Sequence, residues 1–390
     1  MKTTSPLWVV LALWGAGLGA AAQFGKMSII YDLLDASYPL AGPLALGLLV
    51  SIAGFPGLIL GTTAGIFVQG LGWRRVLVVA LAAASGLSLV QALMPPLPVM
   101  LALRVLEGLS HLAIVVAAPV LIAQVAPVAR QGLAMTLWSS FFGVTYTLLA
   151  LLGRPLVDLA GPSALLVAHA IWMLGFAGLL WRILPGDPPA HLARLGLGGL
   201  LRDHAVIYAS PRIAAPACGF VCYTITYVAL LTLLPGLSGT RLQPLLATLL
   251  PLVSIAVSLG LGVWLLGRVG AVRAVMIGFA MALLGGIALA LVWGQVLPQL
   301  IASLWIGGAL GLVQGASFAA IPALNQSAAD RARAAGAIAQ LGNLGTTLGT
   351  PLLSALVAAK GVLALPVFVG GFAALGIVLH LWQARRRART

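Results

Sequence analysis

The sequence predicts an all-α polytopic membrane protein with twelve transmembrane helices in two six-helix bundles. Apolar residues make up 61% of the 390 positions, and charged residues make up only 7%. Apolar runs of about 20 residues, the length that a helix needs to cross a bilayer, recur along the whole chain. A water-soluble domain has no use for so much apolar sequence. The chain length leaves about 32 residues for each span and its loop, which suits twelve helices with short connections.

Prolines, glycines and polar residues separate the apolar runs and place the helices. We predict helices at 6–30, 42–68, 74–94, 98–124, 131–154, 162–184, 211–236, 241–267, 272–294, 297–322, 333–359 and 362–383. The first run is longer than the core of a signal peptide, so we interpret it as an uncleaved first helix. The longest polar connection, 185–210, lies at the midpoint of the chain. We therefore expect an N-terminal bundle over 1–184, a cytoplasmic linker over 185–210 and a C-terminal bundle over 211–390.

The basic residues follow membrane topology and do not form a nucleic-acid surface. The net charge is +14, but Lys and Arg stand singly or in pairs between apolar runs, except in the C-terminal tail. Sixteen of the twenty-one lie at the termini or in alternate loops: Lys2, Arg74, Arg75, Arg130, Arg182, Arg194, Arg202, Arg212, Arg268, Arg273, Arg331, Arg333, Arg385, Arg386, Arg387 and Arg389. Such an excess marks the cytoplasmic side. We therefore expect both termini in the cytoplasm and the protein in the plasma or inner membrane.

The fourth predicted span contains three ionisable side chains. Arg104, Glu107 and His111 are spaced by three and four residues, which places them on one face of a helix. Charged residues inside spans are costly and usually face the bundle interior, a partner or water. We interpret this face as a proton-coupling site, with Glu107 as the carrier, Arg104 as its charge partner and His111 as a relay. The alternative is a buried ion pair that only locks helices together.

Two ionisable residues of the first span and its outer end are further candidates. Asp32 is the next candidate for proton coupling, although together with Asp35 it also fits an ordinary loop acid. Lys26 lies deeper in the span. It either snorkels to the headgroups or faces the cavity, where it would favour an anionic substrate or pair with Asp32.

A further set of polar and aromatic side chains inside the spans could bind a substrate. Amides and phenols form hydrogen bonds without titrating near neutral pH. The second half offers such groups without an ionisable cluster, so we expect proton coupling in the first half and neutral recognition in the second. The alternative role is helix–helix hydrogen bonding, worth about 0.6–2 kcal/mol for each bond. The cavity candidates are Gln23, Lys26, Trp138, Tyr146, Tyr223, Tyr227, Gln314, Asn325, Gln340 and Asn343.

The sequence indicates neither a cofactor nor an enzyme. It contains no phosphate-binding loop of the Gly-x4-Gly-Lys-Ser/Thr type. Cys218 and Cys222 are one helical turn apart, and core packing explains them better than a metal pair because no His or carboxylate is near them in sequence. No metal-ligand pattern and no Ser-His-acid set lies on a shared face. We therefore expect no cofactor, no metal and no enzymatic activity.

The two halves of the chain share an order of small residues. Gly57, Gly61 and Gly65 are spaced by four, a stripe that lets another helix approach closely. Matches with offsets near half the chain length indicate a six-plus-six parallel repeat. The matches are Gly57, Gly61 and Gly65 with Ser254, Ser258 and Gly262; Gly108, Pro119 and Arg130 with Gly311, Pro322 and Arg333; and Gly153 and Pro155 with Gly349 and Pro351.

Three stretches make the chain similar to the major facilitator superfamily over essentially its full length. The stretch 104–108, Arg-Val-Leu-Glu-Gly, resembles the helix 4 signature of that family. Gly143 with Gly153-Arg154-Pro155 is what remains of the helix 5 antiporter signature. The stretch 65–75 resembles the gating signature between helices 2 and 3, with Gly65, Gln69, Gly72, Arg74 and Arg75 at its motif positions.

The resemblance implies secondary transport without ATP, by rocking of two bundles around a central site. We therefore predict a secondary active transporter of a small organic molecule, coupled to protons and acting as a monomer. Its partners would be the substrate, protons and the bilayer, and not nucleic acid. The alternative is a transporter-like receptor or assembly factor that moves nothing.

Two signatures depart from the family pattern. The gating signature usually has an aspartate where this chain has Gln69, and an amide brings no charge to a latch. The helix 5 signature lacks its Gly-Pro pair and its trailing Gly-Gly, so export by antiport has little support in the sequence.

Overall fold

The structure, a computed structural model, describes residues 5–127, 130–187 and 197–389, and these fold into α-helices joined by short turns. The predicted all-α class is therefore confirmed. Lys2, His191 and Arg194 lie outside the described residues, as does most of the first half of the predicted linker. The helices are α1 (Pro6–Ile29), α2 (Tyr31–Ser37), α3 (Pro43–Ser51), α4 (Phe55–Leu60), α5 (Ala64–Leu71), α6 (Trp73–Ala92), α7 (Leu97–Val125), α8 (Gln131–Ser139), α9 (Phe141–Leu148), α10 (Arg154–Ala160), α11 (Pro162–Ile183), α12 (Leu197–Ala209), α13 (Ala214–Leu237), α14 (Gln243–Val257), α15 (Val263–Val269), α16 (Ala271–Val292), α17 (Val296–Leu324), α18 (Ala328–Lys360) and α19 (Ala364–Arg387).

The helices and their outer surfaces suit a bilayer. Within the described ranges, eleven helical stretches are long and apolar enough to cross a membrane, close to the twelve predicted. The remaining predicted span is α18, whose first turns carry Asp330, Arg331 and Arg333. Large apolar side chains such as Leu159 and Leu291 are 86% and 77% exposed. A surface of this kind favours lipid contact over water, and the chain is an integral membrane protein.

Three predicted spans are not continuous α-helices. The eighth, expected over 241–267, consists of α14, a π-helical turn at Ser258–Gly262 and α15. The second, expected as one helix over 42–68, consists of α3, a 3-10 turn at Ile52–Gly54, α4 and α5. Pro56 accounts for the break before α4 because it lacks the N–H that a helix interior requires. The fifth span, expected over 131–154, consists of α8, α9, a π-helical turn at Leu149–Gly153 and α10. The π-helical turn ends two residues before Pro155 of α10, and a proline is a common cause of such an irregularity because it lacks the N–H of a regular helix.

Four glycines mark an internal repeat in the backbone. Gly72, Gly161, Gly270 and Gly361 each follow the last residue of a helix, and their φ angles lie between 77° and 98°. Glycine adopts this left-handed conformation at little cost, whereas other residues are strained there. Gly270 follows Gly72 by 198 residues, and Gly361 follows Gly161 by 200. These spacings agree with the sequence offsets and support the six-plus-six repeat.

The first compact unit contains Met1–Ala41 and Thr63–Arg194. In this unit α1 packs against α7, α9 and α11, and α6 packs against α7 and α11. Glycines on α1 permit the close packing. A Cβ atom on Gly15 would overlap the ring of Phe176, and one on Gly17 would lie 2.6 Å from the ring of Trp138. The interior of this unit therefore brings together side chains of α1, α6, α7 and α11.

The second compact unit contains Gly42–Thr62 and Leu195–Thr390. Its most enclosed helix is α13, which is buried along nearly its whole length and packs against α18, α19, α17 and α14. The segments α3 and α4 pack along α18. The unit thus includes part of the second predicted span as well as the C-terminal helices. The domain boundaries at 184 and 211 remain predictions.

The glycine stripe of the second span is a close helix contact at two of its three positions. A Cβ atom on Gly57 would overlap the side chain of Asn343, and one on Gly61 would lie 3.0 Å from the backbone of Gln340. A Cβ atom on Gly65 would meet no atom within 4 Å. The stripe therefore serves packing against α18 at Gly57 and Gly61 only.

Candidate functional site

A lysine of the first span meets the acid of the fourth. Lys26 on α1 and Glu107 on α7 are both fully buried, and Lys26 Nζ lies 2.6 Å from Glu107 Oε1. Of the roles that the sequence left open for Lys26, the structure supports neither snorkelling nor pairing with Asp32. The ion pair joins α1 to α7, and removal of Glu107 would leave Lys26 as a buried charge without its carboxylate.

The second carboxylate oxygen of Glu107 is held from α7 and α6. Arg104 Nη1 donates to Glu107 Oε2, and Gln91 Nε2 donates to the same oxygen at 2.8 Å. Arg104 reaches the carboxylate because residues three apart on a helix lie on the same face. Glu107 thus accepts hydrogen bonds from three helices. The group contains two cations and one carboxylate.

Gln91, Ser88 and His169 were not among the candidates from the sequence, and the last two complete the group. Lys26 Nζ donates to Ser88 Oγ on α6 at 2.9 Å and lies 3.2 Å from His169 Nδ1 on α11. The only sequence signal was a lone histidine in an apolar span, and His169 is 143 residues away from Lys26. We call Lys26, Ser88, Gln91, Arg104, Glu107 and His169 the charge network; all are buried.

His111 and Gln23 lie beside the charge network. His111 Nδ1 donates to the backbone oxygen of Ala20 at 3.0 Å, and its ring meets the ring of Phe24 edge-on at 4.9 Å. Gln23 Nε2 donates to Ser110 Oγ at 2.8 Å. Among the described residues no hydrogen bond joins His111 to Glu107, so its relay role stays a prediction without a direct contact behind it.

Asp32 lies apart from the charge network, at the end of the first span. Arg154 Nη1 contacts both oxygens of Asp32, at 2.9 and 2.8 Å, and Arg154 Nε contacts Asp158 Oδ1 at 2.9 Å. The side chain of Asp32 is 40% exposed and that of Asp158 is 60% exposed. Exposed ion pairs of this kind contribute little to stability, about 0–1 kcal/mol each.

The comparison with protein families decides the class of this chain. The model of the Major Facilitator Superfamily matches residues 9–341, which is well over half of the sequence. The chain belongs to the Major Facilitator Superfamily. It is therefore a membrane transporter. A comparison with curated proteins gave no match.

The superfamily's gating signature forms the turn into α6. Gly72, with φ at 98°, lies between α5 and α6. The guanidinium of Arg74 lies 4.1 Å from the centre of the Trp181 ring and donates to the backbone oxygen of the same residue. Gln69 and Arg75 are exposed. Arg74 of this signature thus connects the start of α6 to the end of α11.

Asp187 supplies this turn with a carboxylate, whereas Gln69 of the gating signature has an uncharged amide. Its Oδ1 accepts the backbone N–H of Arg74 at 3.1 Å, and its Oδ2 accepts that of Arg75 at 2.7 Å. The first N–H groups of a helix have no partner within the helix and favour a negative charge. Gly72, at the N-cap position, has no side chain to serve them. Asp187, which the sequence analysis placed in the linker, therefore caps α6.

The predicted cavity residues of the first unit are buried in aromatic surroundings. Trp138 stacks on Phe141 with ring centres 4.7 Å apart, and Tyr146 stacks on Phe142 at 5.5 Å. The hydroxyl groups of Tyr146 and Ser28 lie 3.0 Å apart. Trp138 belongs to the hydrophobic core of the unit. Its packing there agrees with a structural role.

The predicted cavity residues of α13 and α17 lie inside the second unit. Tyr223 and Tyr227 are both buried and stacked, with ring centres 5.1 Å apart. Gln314 on α17 is half-buried. Asn325 follows the last residue of α17, where Nδ2 donates to the backbone oxygen of Ile321 at 3.0 Å. Asn325 therefore ends a helix.

Gln340 and Asn343 lie where α18 meets the second span. Gln340 Nε2 donates to the backbone oxygen of Leu58 at 2.9 Å, and Tyr208 donates to Gln340 Oε1 at 2.7 Å. Burial raises the pKa of Tyr208 to about 12, so its hydroxyl keeps its proton at neutral pH. Asn343 packs against Gly57. Both amides thus take part in helix contacts within the second unit.

An apolar groove of about 530 Å³ lies between α16 and α17, away from all these groups. Leu284, Ile301 and Trp305 are among its lining residues, and the indole of Trp305 donates to the backbone oxygen of Met281 at 2.8 Å. The lining is apolar throughout. A substrate site needs a few placed polar groups to orient its ligand, and this groove does not provide them.

Proposed function

We propose that this transporter moves a small organic molecule by alternating access and that the movement is coupled to protons. The observation that carries the proposal is the charge network, in which a fully buried carboxylate joins three helices of the first unit. Ionisable groups inside spans are costly, and in transporters they serve ion and proton pathways.

The network provides a way for one proton to change helix packing. While Glu107 is ionised, it holds Lys26 from α1 and Arg104 from α7. A proton on the carboxylate would remove the only negative charge between these two cations. The cations would then repel each other, and α1 would lose its ionic contact with α7, while the hydrogen bonds of Gln23 with Ser110 and of His111 with Ala20 would remain. A change of this kind can favour one conformation of a transporter over another.

We place substrate recognition on side chains that do not titrate near neutral pH. Tyr223, Tyr227 and Gln314 of the second unit remain candidates for it, together with Gln23 and Tyr146 of the first. Asp32 is a weaker candidate for coupling than Glu107, because Arg154 pairs with it at a partly exposed position. We further propose a monomer in the plasma or inner membrane, with both termini and the linker in the cytoplasm.

Flux through proteoliposomes tests the function. The purified protein would be reconstituted, and a panel of small organic molecules would be screened for uptake driven by an imposed pH gradient. Glu107→Gln should abolish accumulation against a gradient, because the amide cannot release a proton, while exchange of substrate for substrate continues. Glu107→Asp keeps a titratable group and should retain part of the coupling.

Asp32→Asn is the matched control, since it removes a carboxylate that lies outside the network. It should keep gradient-driven uptake. Accumulation by Glu107→Gln at the wild-type rate would refute the coupling role, and the network would then be a structural clamp. Absence of any flux in the wild type across the panel would favour a receptor or assembly factor.

A further inference from the structure

The ammonium group of Lys26 uses all three of its hydrogens. Its Nζ lies 2.6 Å from Glu107 Oε1, 2.9 Å from Ser88 Oγ and 3.2 Å from His169 Nδ1. An ammonium group has three donors and no acceptor, so each of these contacts is a donation. Ser88 Oγ accepts from Lys26 through a lone pair, and its single hydrogen lies within reach of two acceptors, the backbone oxygen of Leu166 at 2.9 Å and His169 Nδ1 at 3.0 Å. His169 Nδ1 therefore accepts a hydrogen bond from a cation.

The backbone of α1 fixes the tautomer of His169. His169 Nε2 lies 3.0 Å from the carbonyl oxygen of Gly19. A carbonyl oxygen only accepts, so Nε2 carries the hydrogen. A neutral imidazole with its hydrogen on Nε2 has a lone pair on Nδ1. That lone pair faces the ammonium group of Lys26.

His111 provides an internal comparison because it is anchored in the opposite sense. Its Nδ1 lies 3.0 Å from the carbonyl oxygen of Ala20, the residue after Gly19. The hydrogen of His111 is therefore on Nδ1. Across the described part of the chain no hydrogen bond joins His111 to a charged side chain. Of two buried histidines held by adjacent carbonyls, His169 alone presents an acceptor nitrogen to the charge network.

We infer that His169 is a proton acceptor of the charge network and exchanges a proton with Lys26. In this step the Nζ–H bond of Lys26 breaks, a bond forms at His169 Nδ1, and the positive charge moves from the ammonium to the imidazole ring. No other reactant is required. Since Lys26 also contacts Glu107, the three residues form a chain along which one proton can move. The inference rests on the proton coupling proposed above.

The surroundings of His169 support this assignment. The helices packed against α11 are α6, α1 and α10. Lys26 is the charged group of α1 that contacts the ring, and near the ring α6 contributes the uncharged Ser88. Of the charged groups near the ends of α11, Arg74 is engaged with Trp181 and Arg154 with two aspartates, and Arg182 in the last turn of α11 is exposed. Through Lys26 the ring is linked to Glu107, which in turn is paired with Arg104.

Nuclear magnetic resonance of the histidine rings tests the geometry without a substrate. The full chain, labelled with ¹⁵N and ¹³C at its five histidines, would be measured in lipid nanodiscs. The ring of His169 should show its hydrogen on Nε2 and that of His111 on Nδ1. Lys26→Met should shift the Nδ1 resonance of His169 and leave that of His111 in place. The signal of His169 is assigned by its loss in His169→Gln. Substitution of the four other histidines in turn assigns it by elimination.

A pH jump tests the proton transfer itself. Proteoliposomes on a solid-supported membrane would be switched between two pH values, and the transient charge displacement would be recorded with no substrate present. His169→Gln can still donate to Gly19 but lacks the Nδ1 acceptor. It should slow the displacement by about 10²-fold, the usual contribution of a positioned acid or base. Lys26→Arg keeps the charge but cannot release its proton, and should have the same effect. His380→Gln, which replaces a buried histidine of α19 in the second unit, should behave as the wild type.

The outcomes separate the inference from the function on which it rests. Wild-type displacement in His169→Gln, or a neutral His169 ring that carries its hydrogen on Nδ1 and not on Nε2, overturns the inference. If Glu107→Gln abolishes the displacement and His169→Gln does not, proton coupling stands and His169 has no part in it. If the wild type shows neither displacement nor gradient-driven flux, the proposed function fails and the inference fails with it.

Discussion

At the scale of single residues, the charges around Glu107 determine which substitution is most costly. Spacing along α7 identifies Arg104 as the partner of Glu107, and the structure adds Lys26 as a second one. Loss of Arg104 or of Lys26 leaves one cation paired with one carboxylate. Loss of Glu107 leaves two buried cations close together. The carboxylate is therefore the member of the group whose removal the structure tolerates least.

Glu107→Gln should lower the free energy of unfolding by about 3–5 kcal/mol, the usual cost of breaking a buried ion pair. Arg104→Ala should lower the free energy of unfolding by less, because Lys26 and Glu107 remain as an ion pair with no net charge. Lys26→Met introduced into Glu107→Gln should recover part of the loss, since it removes one of the two uncompensated cations. Thermal unfolding in detergent measures all three. A Glu107→Gln protein as stable as the wild type would contradict this charge balance.

At the scale of secondary-structure elements, two features matter most: close backbone contacts between helices and the capping of helix ends. The segments α3 and α4 approach α18 so closely that glycines are required at the contact. The start of α6 depends on a carboxylate from beyond the end of α11. Both features hold together elements that are distant in sequence.

Gly61→Leu should reduce the yield of folded protein, because the backbone of Gln340 lies 3.0 Å from the position of the added Cβ. Gly65→Leu is the control on the same stripe. It should be tolerated, because a Cβ there meets nothing within 4 Å. Size-exclusion chromatography of fluorescent fusions reports the yield. Equal yields for the two variants would show that the close contact at Gly61 is not needed.

Asp187→Ala should destabilise the protein by about 0.5–2 kcal/mol, the cost of losing a helix cap. The two N–H groups at the start of α6 would lose their acceptor, and the positive end of the helix dipole would lose a negative charge. Asp203→Ala is the control, because Asp203 is exposed and makes a longer contact of 3.6 Å with Arg333. Unfolding in detergent compares the two. An Asp203→Ala protein that loses as much as Asp187→Ala would contradict the capping role.

At the scale of the whole molecule, the charge distribution and the repeat describe the same architecture. Basic residues alternate between loops, and the four glycines after helices recur at spacings of about half the chain. The family match, over residues 9–341, includes parts of both units. The proposed orientation in the membrane follows from the charges alone.

Cysteine labelling tests that orientation. In a background without Cys218 and Cys222, cysteines at Ala36 and Thr240 should react with a membrane-impermeant reagent in intact cells. Cysteines at Arg202 and Arg389 should react only after the membrane is opened. All four positions are exposed, so burial in the protein does not account for a difference. The reverse pattern would invert the topology.

The sequence by itself determined the membrane class, the approximate positions of the spans and the pairing of two members of the charge network. These properties depend on the length of the apolar runs and on the period of the α-helix. Both can be recognised within a short stretch of sequence. Thus Arg104 and Glu107 could be paired from their spacing, and Gly57 and Gly61 could be assigned to a helix contact without knowledge of the partner helix.

Only the tertiary structure decided which helices supply the remaining partners. Ser88, His169 and Lys26 meet although they are 62 to 143 residues apart, and Asp187 reaches the start of α6 across 112. The rotation and depth of one helix against another depend on the packing of many side chains at once. The spacing of residues along the chain does not specify how two helices align. For that reason the sequence left several roles open for Lys26 and did not identify His169.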